Sequence, residues 1–274
     1  MGSADYVALT NDLLFHMVFT RNAEALRGLL SVLLNIPEPD IDQVEVLNPM
    51  QYSDMIDTKL TVLDLKVHLN NRSYVHVEMQ VRRFAHWTNR TVGYACRQIV
   101  DQIHSDFDYG KLEPVIQISI MDHSLFPDHK KFFNEYIPRD KEGYPYTDKL
   151  KFLVMDLTQI EEASQEQKDQ GLVEWAKAFR ANSWEEVNDI DNSGVKEAAR
   201  TMQLIMSNPT EREMIRMRQD VENDWRTIVN SEREQAQIDL MVELVRDGIL
   251  SEAEAAKRLG MSEEEFVRSS RIMI

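Results

Sequence analysis

Two carboxylates and an amide fall at matching positions on two short segments that predict a hairpin. Apolar and polar residues alternate in residues 62–69 and again in 73–81, which is typical of strands with one buried face. A three-residue loop between the segments fixes a register that sets Asp64 opposite Glu78, with Gln80 two residues further along the same face. Opposed carboxylates repel each other, and Mg²⁺ or Mn²⁺ bound between them would offset that repulsion. The alternative is an ordinary hairpin whose polar face meets solvent.

Positively charged side chains follow the same segments. Lys66 shares the face of Asp64 and could supply positive charge there, although an exposed strand lysine is an equally good interpretation. Residues 84–107 predict a long helix, along which basic and aromatic residues recur at spacings of three or four. The stripe consists of Arg83, Trp87, Arg90, Tyr94 and Arg97. Such a stripe could hold phosphates or could be a solvated helix face.

The elements around the hairpin predict an α/β domain. Helical spacing of apolar residues in 12–34 indicates two helices, the second capped by Asn22. Strands are predicted at 41–47, 114–121 and 151–157, which gives a mixed sheet flanked by helices.

The chain after residue 158 predicts only helices. Five Ser/Thr-x-x-Glu pairs have the pattern of capping boxes, and no segment among them resembles a strand. The pairs are Thr158/Glu161, Ser183/Glu186, Thr210/Glu213, Ser251/Glu254 and Ser262/Glu265. We therefore expect a domain at 1–160, a helical region at 161–229 and a helical tail at 230–274.

The tail has a second feature. An apolar stripe in residues 238–245 is followed by a helix, a glycine-containing turn at Gly260 and another helix, which resembles the first part of a helix-turn-helix. The second helix begins with three glutamates at 263–265, a poor face for DNA phosphates. This pattern favours packing or homo-oligomerisation over DNA reading.

Composition excludes several classes of protein. In 274 residues, 43% hydrophobic and 28% charged side chains exclude wholesale disorder. The one cysteine, Cys96, excludes an intrachain disulfide and a cysteine-based zinc site. An apolar run of about 20 residues that could span a membrane is absent, and so is a signal region, so we expect a cytoplasmic protein.

Net charge argues against a broadly basic nucleic-acid-binding surface. The formal charge is −16, from 31 basic and 47 acidic side chains. Most of the acidic excess lies in residues 161–274, whereas residues 72–97 carry five arginines against Glu78 alone. DNA could therefore approach the chain near the hairpin.

Residues spread over the first 160 positions resemble the Rpn family of recombination-promoting nucleases, also described as PD-(D/E)XK transposases. Asp64, the hairpin and Glu78-x-Gln80 are similar to the PD-(D/E)XK core, whose pattern ends in Glu-x-Lys. The other matching residues are Asn11-Asp12-x-x-Phe15, Leu47-Asn48-Pro49, Asp57-x-Lys59-x-x-x-Leu63-Asp64, Arg90 with Tyr94, and Leu112-x-Pro114-Val115-Ile116. The resemblance implies a restriction-endonuclease-like mixed sheet flanked by helices and followed by an all-helical C-terminal region.

The resemblance also implies roles for individual residues. Asp64 and Glu78 would bind Mg²⁺ or Mn²⁺ together with the backbone carbonyl of Met79. Asp12 could complete the metal shell or could simply complement the dipole of the first helix, and Asp57 could bind metal or lie in a loop. Gln80, in place of the usual lysine, could orient water or contact a phosphate but could not act as a base.

The function that the resemblance implies is metal-dependent DNA endonuclease activity, linked to recombination, mobile elements or phage defence. One alternative is a catalytically degraded nuclease-fold binding protein, with Gln80 as a sign of decay. Another is a toxin–antitoxin-type interaction protein that acts through its helical tail.

Overall fold

The computed structural model describes residues 6–47, 65–70 and 72–271. The packing of the chain separates two compact units, residues 1–218 and residues 219–274, and each is described by itself. Asp57 and Asp64 lie outside the described residues.

Two helices open the first unit. Helix α1 is Asp12–Arg21 and helix α2 is Ala23–Leu34. The Asn11 side chain accepts a hydrogen bond from the backbone of α1, and Asn22 accepts two from the first turn of α2, as the sequence predicted. Helix α2 ends at Asn35, whose left-handed backbone at φ 53° satisfies the last carbonyls.

Six strands of the described chain form one mixed sheet. They are β1 (Val44–Val46), β2 (Leu65–Leu69), β3 (Ser73–Gln80), β4 (Val115–Met121), β5 (Phe133–Tyr136) and β6 (Leu150–Asp156). Their order is β1-β2-β3-β4-β6-β5, with β3, β4 and β6 parallel and the outer pairs antiparallel. The mixed sheet that the sequence predicted is therefore confirmed.

The two faces of the sheet differ in polarity. Leu65, Val67 and Val77 lie on one face, within the apolar core that also contains α1 and α2. The opposite face carries Glu78 and faces helix α3, which is Trp87–Val100. This alternation follows from the two-residue period of the strands.

The remaining α-helices of the described chain follow β6. They are α4 (Gln165–Asp169), α5 (Leu172–Arg180), α6 (Trp184–Asn188), α7 (Ser193–Ser207), α8 (Pro209–Arg246), α9 (Glu252–Leu259) and α10 (Glu263–Arg271). The predicted all-helical second half is confirmed. One apolar core extends from Leu9 to Ile215, so helices α5 and α7 pack on the same core as the sheet. The predicted boundaries at residues 160 and 229 remain predictions based on composition.

Helices α2 and α7 approach closely where two glycines face each other. A Cβ atom built on Gly28 would lie 3.0 Å from the Gly194 Cα, and one built on Gly194 would lie 3.0 Å from the Trp175 ring. Only residues without side chains allow the two backbones to approach this closely.

Two predicted elements are shorter in the structure, and one strand was not predicted. The strand expected at 41–47 is limited to Val44–Val46, and the helix expected at 84–107 is limited to Trp87–Val100. Strand β5 was not predicted, because its short sequence, Phe-Asn-Glu-Tyr, lies at the sheet edge and needs few apolar residues.

The second unit comprises α8 from Gln219 onward together with α9 and α10. Its small core is formed by Ala255, Ala256 and Phe266, against which Val245 and Leu259 pack. In the part of the chain that the structure describes, no helix is both long and apolar enough to cross a membrane.

Candidate active site

The hairpin register agrees with the sequence prediction. Leu69 pairs with Ser73 and Leu65 pairs with Val77. Glu78 follows Val77 directly, and the strand places it on the polar face of the sheet. The proposed partner, Asp64, precedes Leu65 in the sequence and lies outside the described residues, so the opposed pair itself stays a prediction.

Glu78 is buried in the middle of the sheet. Its exposed fraction is 1%, and it lies beside Ser119 of the parallel strand β4. Helix α3 covers this region, since the Trp87 Nε1 donates a hydrogen bond to the Ser119 Oγ over 3.3 Å. A carboxylate is costly to bury unless charge or hydrogen bonding compensates it, so buried carboxylates of this kind are frequent at functional sites.

Gln80 lies on the same face as Glu78 and is 4% exposed. Its Nε2 donates a hydrogen bond of 3.0 Å to the backbone carbonyl of Arg82. The amide nitrogen therefore holds the chain where it leaves β3, and the Oε1 is the other polar atom of this side chain. Met79 points to the opposite, apolar face and is 4% exposed, and the role of its carbonyl stays a prediction.

A histidine and an aspartate that the sequence did not single out follow the neighbouring parallel strands. Asp156 is the last residue of β6. It pairs with Met121 of β4, which in turn pairs with Gln80 of β3. Its carboxylate accepts hydrogen bonds from the Thr158 backbone and hydroxyl at 2.9 and 2.6 Å. His123 follows β4 and is 9% exposed. Burial and the charge of Arg83 lower the pKa of His123, although Asp156 opposes this shift. Polar residues at or just beyond the ends of two apolar strands are the signal that would have indicated them, because ligands bind at such strand ends.

Asp12 begins α1 and is engaged with Arg218 of helix α8. The Arg218 Nε lies 2.9 Å from the Asp12 Oδ1 and 3.2 Å from its Oδ2, and the Arg218 Nη2 makes a further contact. The Asp12 Oδ1 also accepts from the Leu13 backbone at 2.8 Å. These contacts give Asp12 a structural partner in α8, and both its helix-dipole role and its metal role stay predictions.

The predicted stripe on α3 forms an aromatic cluster around one arginine. The Arg90 guanidinium lies 5.4, 5.5 and 5.2 Å from the ring centroids of Phe84, Trp87 and Tyr94. Its Nε also donates a 2.7 Å hydrogen bond to the Tyr94 hydroxyl. Cation–π contact and this bond fix the arginine on the helix surface. Arg83 and Arg97 are exposed.

A cavity of about 260 Å³ lies between the polar sheet face and α3. Polar groups from both elements line it, among them Lys66, His76, Tyr94, Arg97 and Gln117. Predicted residues of the hairpin and the helix thus meet at one place.

The described residues supply only part of a metal site. Within residues 6–47, 65–70 and 72–271, no group of three or more His, Cys, Asp or Glu side chains is placed to hold a metal ion. Glu78 fits such a site, because hard divalent cations prefer carboxylate oxygens. Asp57 and Asp64 lie outside these ranges.

The fold and the position of Glu78 define a class. A hairpin that leads into parallel strands, with helices on both faces and an acid on the second hairpin strand, matches the PD-(D/E)XK nuclease architecture. The family model described as PD-(D/E)XK nuclease family transposase matches residues 9–232, and the chain belongs to that family. The match includes helices beyond residue 160. No curated protein and no solved structure matches the chain. PD-(D/E)XK nucleases generally use divalent metal ions.

Proposed function

We propose that this protein is a metal-dependent endonuclease that hydrolyses phosphodiester bonds in DNA. The observation that carries the proposal is the buried carboxylate of Glu78, in the hairpin register that the nuclease core requires. The family membership supports the same chemistry. A role in recombination, mobile elements or phage defence, a cytoplasmic location and homo-oligomerisation through the C-terminal helices belong to this proposal.

Glu78 and Asp64 would hold the cation, Mg²⁺ or Mn²⁺, with the Met79 carbonyl as a further ligand and Asp12 and Asp57 as candidates. When bound, a divalent cation supplies Lewis acidity that activates water and neutralises charge on the phosphodiester. Burial of Glu78 excludes water from the carboxylate and strengthens its interaction with positive charge.

Gln80 would orient water as an acceptor. Because its Nε2 donates to the Arg82 carbonyl, the Oε1 is the atom that can accept a hydrogen bond from an attacking water. An amide has no usable basicity at neutral pH, so Gln80 positions the water and does not take its proton.

Cationic side chains around Glu78 would hold the DNA backbone. Three of them are exposed: Lys66 on β2, Arg83 between β3 and α3, and Arg97 on α3. Arg90 and Tyr94 present one preformed donor cluster, whose order lowers the entropy lost on binding a phosphate.

One observation favours a second candidate, a catalytically degraded binding protein. Gln80 stands where the PD-(D/E)XK pattern has a lysine, and its amide nitrogen donates a hydrogen bond to the Arg82 carbonyl. A degraded site would bind DNA or a protein partner, in the manner of a toxin–antitoxin component, without titratable metal affinity.

Nicking of supercoiled plasmid separates the two candidates. The wild type is expected to relax the plasmid with Mg²⁺ or Mn²⁺ and not with EDTA. Asp64→Asn and Glu78→Gln are expected to lose at least about 100-fold in rate, since each removes a charge that acts on the reacting phosphate. Glu135→Gln, which alters an exposed strand acid, is the matched control. Equal rates in all four proteins would refute the nuclease proposal.

A further inference from the structure

We propose that the cavity between the polar sheet face and α3 binds one nucleotide of the substrate strand, with the base inside and its phosphate at the mouth. This inference rests on the proposed nuclease function and adds a substrate subsite to it. The volume of about 260 Å³ is on the scale of a small ligand such as one base.

The cavity lies directly beside the proposed catalytic position. His76 lines it and is two residues before Glu78 on the same face of β3, which is a separation of about 7 Å. Gln117 lines it from β4 and precedes Ser119, the neighbour of Glu78, by two residues. A nucleotide held there would be close in sequence to the cleaved bond.

Gln117 provides a buried donor for a base. It is 1% exposed, and its Oε1 lies 2.9 Å from the His76 Nδ1. Among the described residues, its Nε2 has no hydrogen-bond partner. A buried N–H that lacks an acceptor is unfavourable, so an acceptor on a ligand would stabilise it. The carbonyl oxygens and ring nitrogens of nucleobases are acceptors of this kind.

The walls and mouth of the cavity match the other parts of a nucleotide. Tyr94 is 37% exposed, with its ring 5.8 Å from that of His76, and aromatic faces of this kind stack on bases. Lys66 and Arg97 are exposed cations at the lining and suit a phosphate. Asp101 also lines the cavity and is an acceptor for the exocyclic N–H groups of a base, which inorganic phosphate lacks.

Titration of the Glu78→Gln full-length protein tests the subsite without cleavage. The probes are the four deoxynucleoside 5′-monophosphates and, separately, inorganic phosphate, with the Gln117 side-chain amide resonance as the readout. At least one nucleotide is expected to shift this resonance saturably. Inorganic phosphate at the same concentration is expected to leave the resonance unshifted. Lys66→Gln is expected to weaken nucleotide binding by about tenfold, whereas Lys141→Gln, an equivalent change on an exposed loop, leaves it unchanged.

Two results would overturn the subsite. One is that none of the nucleotides shifts the Gln117 amide, and the other is that phosphate binds as well as the nucleotides do. Gln117→Leu provides a second variant. It lacks the reporting amide, so its nucleotide binding is measured by calorimetry, and it is expected to be about tenfold weaker than that of Glu78→Gln alone. Plasmid nicking by the wild type is measured alongside, so the two proposals fail separately. Nicking without nucleotide binding refutes the subsite alone, and nucleotide binding without nicking refutes the nuclease function.

Discussion

Removing the Asp12–Arg218 ion pair tests whether Asp12 has a structural role. The carboxylate receives the Arg218 Nε at 2.9 and 3.2 Å and the Nη2 as well, and the two side chains are 23% and 13% exposed. Charge-assisted bonds contribute about 1.5–3 kcal/mol each when buried, and solvent reduces this. We therefore expect a coupling free energy of about 2 kcal/mol between the two residues.

The assay is a double-mutant cycle in urea. Unfolding of the wild type, Asp12→Ala, Arg218→Ala and the double variant gives four free energies, from which the coupling is obtained. The Asp191–Lys196 pair is the matched control, because its side chains are 98% and 52% exposed and should show no measurable coupling. A coupling below about 0.5 kcal/mol for Asp12 and Arg218 would refute the structural role. Loss of metal affinity in Asp12→Ala but not in Arg218→Ala would support a metal ligand instead.

Three further predictions concern stability. Gly28→Ala is expected to lower the free energy of unfolding, measured in urea, by about 1–2 kcal/mol, because its Cβ would lie 3.0 Å from the Gly194 Cα. Gly93→Ala is the control and should raise that free energy by about 0.5–1 kcal/mol, because its Cβ would have nothing within 4 Å. Since the folded state lowers the pKa of His123, the unfolded state binds more protons as pH falls below about 6.5. As the pH is lowered from 8 to 5, the free energy of unfolding in urea should therefore decrease more steeply for the wild type than for His123→Asn. Phe266→Ala should lower the stability of the second unit by about 3–5 kcal/mol, because Phe266 is buried in its small core. Hydrogen exchange should then show that the amides of α9 lose protection, whereas those of α2 keep theirs.

Each of these expectations has a result that contradicts it. A Gly28→Ala protein as stable as Gly93→Ala would mean that the two helices separate without cost. Parallel pH profiles for the wild type and His123→Asn would mean that burial does not hold the imidazole neutral. Retained protection of α9 in Phe266→Ala would mean that other contacts hold the second unit.

The hairpin register could be predicted because it depends on local features. Strict alternation and a short loop leave one pairing that buries the apolar faces, and Leu69 pairs with Ser73 as expected. The strand ends could have indicated His123 and Asp156 as candidates, but not that they lie on the strands next to Gln80, because that depends on parallel pairing between segments distant in sequence. The same holds for the approach of α2 and α7, which no local pattern indicates.

The capping-box predictions show how far local signals extend. The boxes at Ser251/Glu254 and Ser262/Glu265 are confirmed by reciprocal hydrogen bonds, and Ser183 caps α6 through the Glu186 backbone. The boxes predicted at Thr158 and Thr210 are wrong. In both cases an Asx side chain two residues earlier, Asp156 or Asn208, accepts the backbone N–H groups first.

Binding of Mn²⁺ measured by calorimetry tests the central claim, that Glu78 is a ligand of the catalytic cation. The comparison uses the wild type, Glu78→Gln, Asp64→Asn and the Glu135→Gln control in the absence of DNA. Saturable binding is expected in the wild type and the control and at least about tenfold weaker binding in the other two, because a neutral amide is a poorer ligand for a hard cation. Equal Mn²⁺ affinity in all four proteins, or none in the wild type, would contradict the claim.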